Sequence, residues 1–126
     1  MSYTSTEVMV TAAAKELEDG ETAFVGIGVP MLACNLAKST HAPNLELVYE
    51  SGVVGAPIST GGVPTSIADP KLASDSTCIY PMHEGFSRVL QGGRIDVGFL
   101  GGAQVDRWGN INSTVIGEYE DPEIRF

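Results

Sequence analysis

The sequence predicts an α/β protein, an open, mostly parallel sheet with flanking helices, in a single domain over residues 1–126. Three observations carry that expectation. Segments with the helical apolar period alternate with short extended apolar runs, the order that produces parallel strands joined by helices. Glycines punctuate the joints between them. An apolar content of 43% over 126 residues suffices for one core and not for two domains of ordinary size.

Val8, Ala12, Ala13 and Leu17 recur at helical spacing within residues 7–19, with Thr6 as the expected cap and Gly20 as the stop. Residues 22–27 form a short apolar run ending at Gly28, after which Pro30 opens a second helical pattern through Met31, Leu32, Leu36 and Ala37. Following the breakers at 41–44, residues 45–49 predict a strand with Glu50, Ser51 and Gly52 at its end. Gly and Pro interrupt residues 52–70 so often that a long irregular loop is expected there. Residues 77–80 then predict a strand, 84–91 a short helix stopped by Gly92 and Gly93, and 95–100 a buried strand. Val105, Ile111 and Val115 suit a hairpin around residues 107–110. The last residues, 123–126, bring no closing helix and no return to the sheet, so the fold is expected to be incomplete at its C-terminus: an N-terminal fragment, or a protein whose core a partner completes.

Sixteen acidic against seven basic side chains give a net charge of -9, which repels nucleic acid and anionic membrane surfaces. No run approaches the ~20 apolar residues of a membrane span. The first seven residues lack a secretion signal, so a cytoplasmic protein is expected. Cys34 and Cys78 have no companion at metal-ligand spacing and read as small buried residues; Asp96 and Asp106 are equally isolated, so no metal is expected.

Glu50 is the leading candidate for chemistry, because ligands of open α/β sheets bind beyond the carboxyl ends of the strands. A carboxylate held there beside hydrogen-bond donors is a nucleophile; position alone equally allows a polar residue where a strand meets solvent. Gly52 and Gly55 permit close backbone approach. Residues 26–30 form a glycine turn into a helix start, which suits an anion or is simply a structural turn. His83 and Glu84 stand at a predicted helix start, where His83 reads either as an acid or base or, with Glu84, as part of a surface cap.

Three segments, VGIGVP at 25–30, YESGVVGAP at 49–57 and GGAQVDRWGNINST at 101–114, together resemble the beta subunit of family I coenzyme A transferases, most closely the glutaconate type. The resemblance runs from the first helix to Phe126. It implies that Glu50 attacks an acyl-CoA thioester and carries a glutamyl-CoA thioester. It also implies that Gly28, Val29, Ser51, Gly52, Gly102 and Gln104 contribute to substrate binding. Coenzyme A would be a substrate, with no permanently bound cofactor. Ser51, where relatives acting on 3-oxo acids more often carry Asn, inclines the acid toward a dicarboxylate, with a 3-oxo acid also open. Family beta subunits are about twice this length and pair with an alpha subunit near the active site. Two other readings remain: a CoA-ester hydrolase of the same fold, whose chains tend to lack the Glu-Ser-Gly motif, and a non-catalytic subunit or binding module.

Overall fold

A computed structural model of the chain describes residues 2–58, 64 and 66–126. Helix α1 (Ser5–Lys15) leads into β1 (Thr22–Val25), α2 (Val29–Thr40) and β2 (Glu46–Tyr49). After β2 come β3 (Val53–Val54), the single-turn α3 (Pro70–Ala73), β4 (Cys78–Ile79) and α4 (Met82–Glu84), which continues as a π-helical segment, Gly85–Leu90. The main sheet is completed by β5 (Val97–Gly98). Its order is β4-β3-β2-β1-β5. Strand β1 is parallel to β2 and β5, whereas β3 is antiparallel to β2 and β4. All strands but β3 therefore run in one direction, as the alternation of helix and strand predicts.

Local chemistry explains the boundaries. Helix α1 starts earlier than expected because Thr4, not Thr6, is the cap: its hydroxyl accepts from Glu7 N at 3.2 Å while the Glu7 carboxylate accepts from Thr4 N at 2.8 Å. The helix ends at Lys15, and Leu17 is buried in the turn that follows. In α2, Met31, Ala33, Cys34 and Ala37 face inward with helical spacing. The parallel register pairs Ala23 with Leu47 and Val25 with Tyr49, so these four share one face of the sheet, buried under the helices. Fully burying each Leu or Val there contributes about 1.5–3 kcal/mol. On the opposite face Phe24 meets Phe86 edge-on, with ring centroids 5.5 Å apart.

Three expectations need correction. The irregular stretch at 52–70 contains β3 at Val53–Val54; residues 59–63 and 65 of that stretch lie outside the described residues. The run at 95–100 is not a buried strand: among the described residues only Val97–Gly98 pairs, with β1 as its one neighbour, and Leu100 is 82% exposed. Finally, Val105 and Ile111 form the expected antiparallel bridge, but Val115 belongs to β6 (Val115–Gly117), which pairs with β7 (Pro122–Arg125). Strand β7 begins at Pro122 after acidic residues, a composition that reads as loop. Among the described residues no helix is long and apolar enough to cross a membrane.

Candidate functional site

The shared direction of β1, β2, β4 and β5 brings four chain segments out at one edge of the sheet. Val25 and Tyr49 are register partners, so Gly26 and Glu50 leave the sheet side by side. Glu50 is exposed, within a tight turn closed by Gly52 N donating to Tyr49 O at 2.8 Å. That turn is clamped from the far side. Tyr80 N donates to Gly52 O at 2.9 Å, and Gly52 has φ +91° with its missing Cβ position only 1.9 Å from the Tyr80 carbonyl oxygen. No L side chain fits there. A Cβ on Gly85, at the start of the π-helical segment, would meet the Gly52 Cα at 3.7 Å, so that segment passes close to the turn as well. The candidate carboxylate thus projects from a backbone fixed by its neighbours.

Ser51 presents a second feature. Its hydroxyl oxygen is the buried side-chain polar atom that, among the described residues, has no hydrogen-bond partner. Leaving a buried hydroxyl without a partner costs about 1–3 kcal/mol.

Gly28 caps α2 at φ +84° with no side-chain cap, leaving the positive end of a 12-residue helix open beside the Glu50 turn, and Val29 is half-buried at its first position. Gly102 and Gln104 lie elsewhere, in the loop that follows β5 on the far side of β1. A Cβ on Gly102 would come within 2.9 Å of Val105 Cγ2. The Gln104 carboxamide oxygen accepts from Asn112 Nδ2 at 2.8 Å, a bond internal to that loop. The structure therefore gathers Glu50, Ser51, Gly52, Gly28 and Val29 around adjacent strand ends, and holds Gly102 and Gln104 in a separate, self-contained loop.

Pro81 holds the N-cap position of α4, and Glu84, at the N-cap of the π-helical segment, makes no side-chain cap bond there and pairs instead with Arg88 at 3.3 Å. Sequence reasoning missed Tyr80 and Gly85, the clamp on the Glu50 turn. Their only signal was the glycine following His83 and Glu84. Burial pushes the Cys34 thiol up to about 12, so it stays protonated and unreactive at neutral pH. Among the described residues no group of three His, Cys, Asp or Glu is arranged to hold a metal ion. A hollow of about 380 Å³ lined by Thr22, Glu46, Val48, Tyr80, Arg88 and Arg94, among others, lies on the sheet face that Phe86 partly covers.

A family model described as coenzyme A transferase matches residues 6–126. The chain is 52% identical over 125 residues to the B-type subunit of 3-oxoadipate CoA-transferase from Pseudomonas knackmussii, covering 99% of this chain and 47% of the relative. It is 35% identical over 129 residues to the B-type subunit of glutaconate CoA-transferase from Acidaminococcus fermentans, covering 99% and 48% respectively. The crystal structure of glutaconate coenzyme A-transferase from that organism superposes with a TM-score of 0.81 at 36% identity, over 98% of this chain and 48% of that one. The decarboxylase AibA/AibB superposes equally well, with a TM-score of 0.81 at 28% identity over 99% of this chain and 52% of that one. The chain spans about half the length of the curated relatives it matches. Identity to the 3-oxoadipate relative exceeds identity to the glutaconate relative, and both matches run over nearly the whole chain.

Proposed function

Because the chain belongs to the coenzyme A transferase family, we propose that it supplies the nucleophile of an enzyme moving coenzyme A between carboxylic acids, and that Glu50 is that nucleophile. The observation that carries this reading is the position of Glu50: exposed at the carboxyl end of a central parallel strand, on a turn that Gly52 and Tyr80 hold rigid. Preorganisation of this kind is what a covalent step requires.

In the proposed cycle the Glu50 carboxylate attacks the thioester carbonyl, the C–S bond breaks, and a mixed anhydride forms with release of the CoA thiolate. The thiolate then attacks the glutamyl carbonyl, the first acid leaves as its carboxylate, and a glutamyl-CoA thioester remains on Glu50. A second acid repeats the steps in reverse and departs as its CoA ester. Each addition places negative charge on a carbonyl oxygen. The partnerless Ser51 hydroxyl and the uncapped start of α2 at Gly28 and Val29 are the donors on this chain suited to receive it. Gly52 lets the turn that carries Glu50 close against Tyr80. Gly102 and Gln104 border the substrate from the next strand end in this reading.

For the substrate, the two relatives are named for 3-oxoadipate and glutaconate, both dicarboxylic acids. A dicarboxylate, with or without a 3-oxo group, is the proposed acid, and an alpha-type companion subunit is the proposed partner. The fold alone does not decide the chemistry, since a decarboxylase shares it. Its reading for this chain would leave Glu50 unmodified.

The test is trapping. The protein, at the length its gene encodes and with its companion subunit, is incubated with acyl-CoA, treated with hydroxylamine or borohydride, and mapped by mass spectrometry. Modification is expected at Glu50. Glu50→Ala is expected to lower turnover by on the order of 10⁴-fold or more without loss of folding. Consumption of acyl-CoA with no adduct would replace transfer by hydrolysis. No consumption at all would leave a binding module.

A further inference from the structure

We propose that Phe86 is a positioning residue for Glu50: its ring, seated edge-on against Phe24, holds the π-helical segment against the turn that carries the carboxylate. This rests on the reading of Glu50 as nucleophile given above and adds the side chain that keeps its turn in place.

The Tyr80 clamp has little to hold it from its own strand. Among the described residues β4 pairs with β3 alone, over two residues of each. Ile79, Tyr80 and Met82 are 58%, 39% and 50% exposed, and Pro81 and His83 are exposed as well. No side chain from 79 to 83 is therefore sunk into the sheet. Yet the backbone there fits closely: a Cβ on Gly52 would lie 2.9 Å from the Tyr80 carbonyl carbon and 3.5 Å from that of Pro81.

Past the clamp, Glu84 pairs with Arg88, and Gly85 is buried without a side chain to anchor it. Phe86 is the next residue. Its ring meets Phe24 at an interplanar angle of 65°, an attractive edge-to-face geometry. Phe24 is 8% exposed and stands opposite Val48 in the parallel register, so the contact fastens the segment to the two strands whose ends form the candidate site. The π geometry brings this about from adjacent residues, with Gly85 close to the Gly52 turn and Phe86 on the sheet. Its wide turn is closed by Gln91 N donating to Phe86 O at 2.9 Å and Arg94 N donating to Val89 O at 3.1 Å. Such turns are rare and recur at functional sites. Without the ring, the segment and the clamp it follows are free to shift, and a displacement of about 1 Å in a reacting group lowers a rate by up to about 100-fold.

The test uses the protein at the length its gene encodes, assembled with its companion subunit, and 3-oxoadipyl-CoA and glutaconyl-CoA in turn as probes. Rapid quenching and peptide mass spectrometry give the rate at which a CoA thioester appears on Glu50. Phe86→Leu is expected to lower the maximal rate about tenfold while the half-saturating concentration stays within about twofold, and Phe86→Tyr, which keeps the ring, to restore the rate. Val89→Ala, which shortens a half-buried side chain of the same segment, is expected to leave the rate unchanged. In a Gly52→Ala background Phe86→Leu should cost no further rate, because both act through one turn. Should Phe86→Leu not assemble, Phe86→Met, which also removes the ring, carries the same expectation. Equal losses from Phe86→Leu and Val89→Ala, a Phe86→Tyr rate as low as that of Phe86→Leu, or losses from Phe86→Leu and Gly52→Ala that simply add, would each show that the ring supports the fold in general, and each overturns the proposal. An unchanged rate in Phe86→Leu overturns it too, while leaving Glu50 as the nucleophile. If the wild type forms no thioester on Glu50 with either probe, the nucleophile reading falls and this inference with it.

Discussion

Two regions of this chain stabilise themselves by different means. From α1 through β2 the elements are 11, 4, 12 and 4 residues long, and their apolar side chains close on one another. Among the described residues no large apolar side chain beyond Leu72 is buried. Past that point strands shrink to two to four residues and order comes from local hydrogen bonds, as in the Asp106 loop. A region that closes its own core keeps its shape alone. A region that keeps its shape by turns while leaving Ile79, Leu100 and Trp108 in solvent is ready to be covered by something else. Glu50 sits where the two meet, on the last strand of the first region and clamped by Tyr80 of the second.

The largest effect that tests this contrast is on stability. Leu47, fully buried, is expected to cost about 2–5 kcal/mol as Leu47→Ala in urea denaturation. Leu100→Ala is expected to stay within about 0.5 kcal/mol in the isolated chain. A Leu100 penalty comparable to that of Leu47 would mean the second region is buried in solution and the contrast is false.

The joint between the regions comes next. Gly52→Ala places a methyl 1.9 Å from the Tyr80 carbonyl oxygen at φ +91°, whereas Gly93→Ala, at φ +66°, meets nothing within 4 Å. Both pay the left-handed strain of roughly 1–3 kcal/mol, but only Gly52→Ala must also push the start of β3 away from the end of β4. It should lose more stability than Gly93→Ala, and the rate of Glu50 acylation should fall while Gly93→Ala leaves that rate unchanged. Equal losses from the two would show that the Tyr80 clamp does not hold the turn.

The same contrast explains what could be read in advance. The first region was legible because long amphipathic helices and register-paired strands write their burial as periodicity: Met31, Cys34 and Ala37 recur at helical spacing, and Leu45, Leu47 and Tyr49 alternate. Glu50 was legible by its place at a strand end together with its motif. Strand β3 is two residues long and β7 begins with proline, so neither carries a pattern longer than chance. The run at 95–100 misled because Ile95, Val97, Phe99 and Leu100 outweighed Asp96 and Gly98 and read as a buried strand, whereas among the described residues it pairs with β1 alone. The Tyr80 and Gly85 clamp was invisible because it depends on a contact across the sheet that no local spacing encodes.

Thiol chemistry gives a smaller, qualitative comparison. Cys34, in α2, is fully buried with its thiol pushed up to about 12, while Cys78 in β4 is half-buried. Iodoacetamide under native conditions is expected to alkylate Cys78 and spare Cys34, as read by peptide mass spectrometry. Alkylation of Cys34 at a similar rate would mean that the first region opens as readily as the second.

The subtlest difference is in pH response. Hydrogen bonds from the Asn110 side chain and backbone, and then from the Trp108 and Gly109 amides, hold the Asp106 carboxyl below its ordinary 3.8. A carboxyl lowered in the folded state stabilises its loop fully above that ordinary value, and the contribution is lost as the pH falls through the lowered one. Glu7 and Asp19 are lowered too, by Thr4 and by Asn44, so acid loosens both regions at their edges. The first region has the buried core to fall back on and the loop does not. Hydrogen exchange, corrected for intrinsic rates, should therefore show protection at the Trp108 and Asn110 amides falling as the pH is lowered toward about 3, while Val25 and Tyr49 stay protected. Asp106→Ala should produce the same loss at neutral pH. Parallel loss at all four amides would mean that the molecule opens as one unit, and that the loop owes its shape to the core after all.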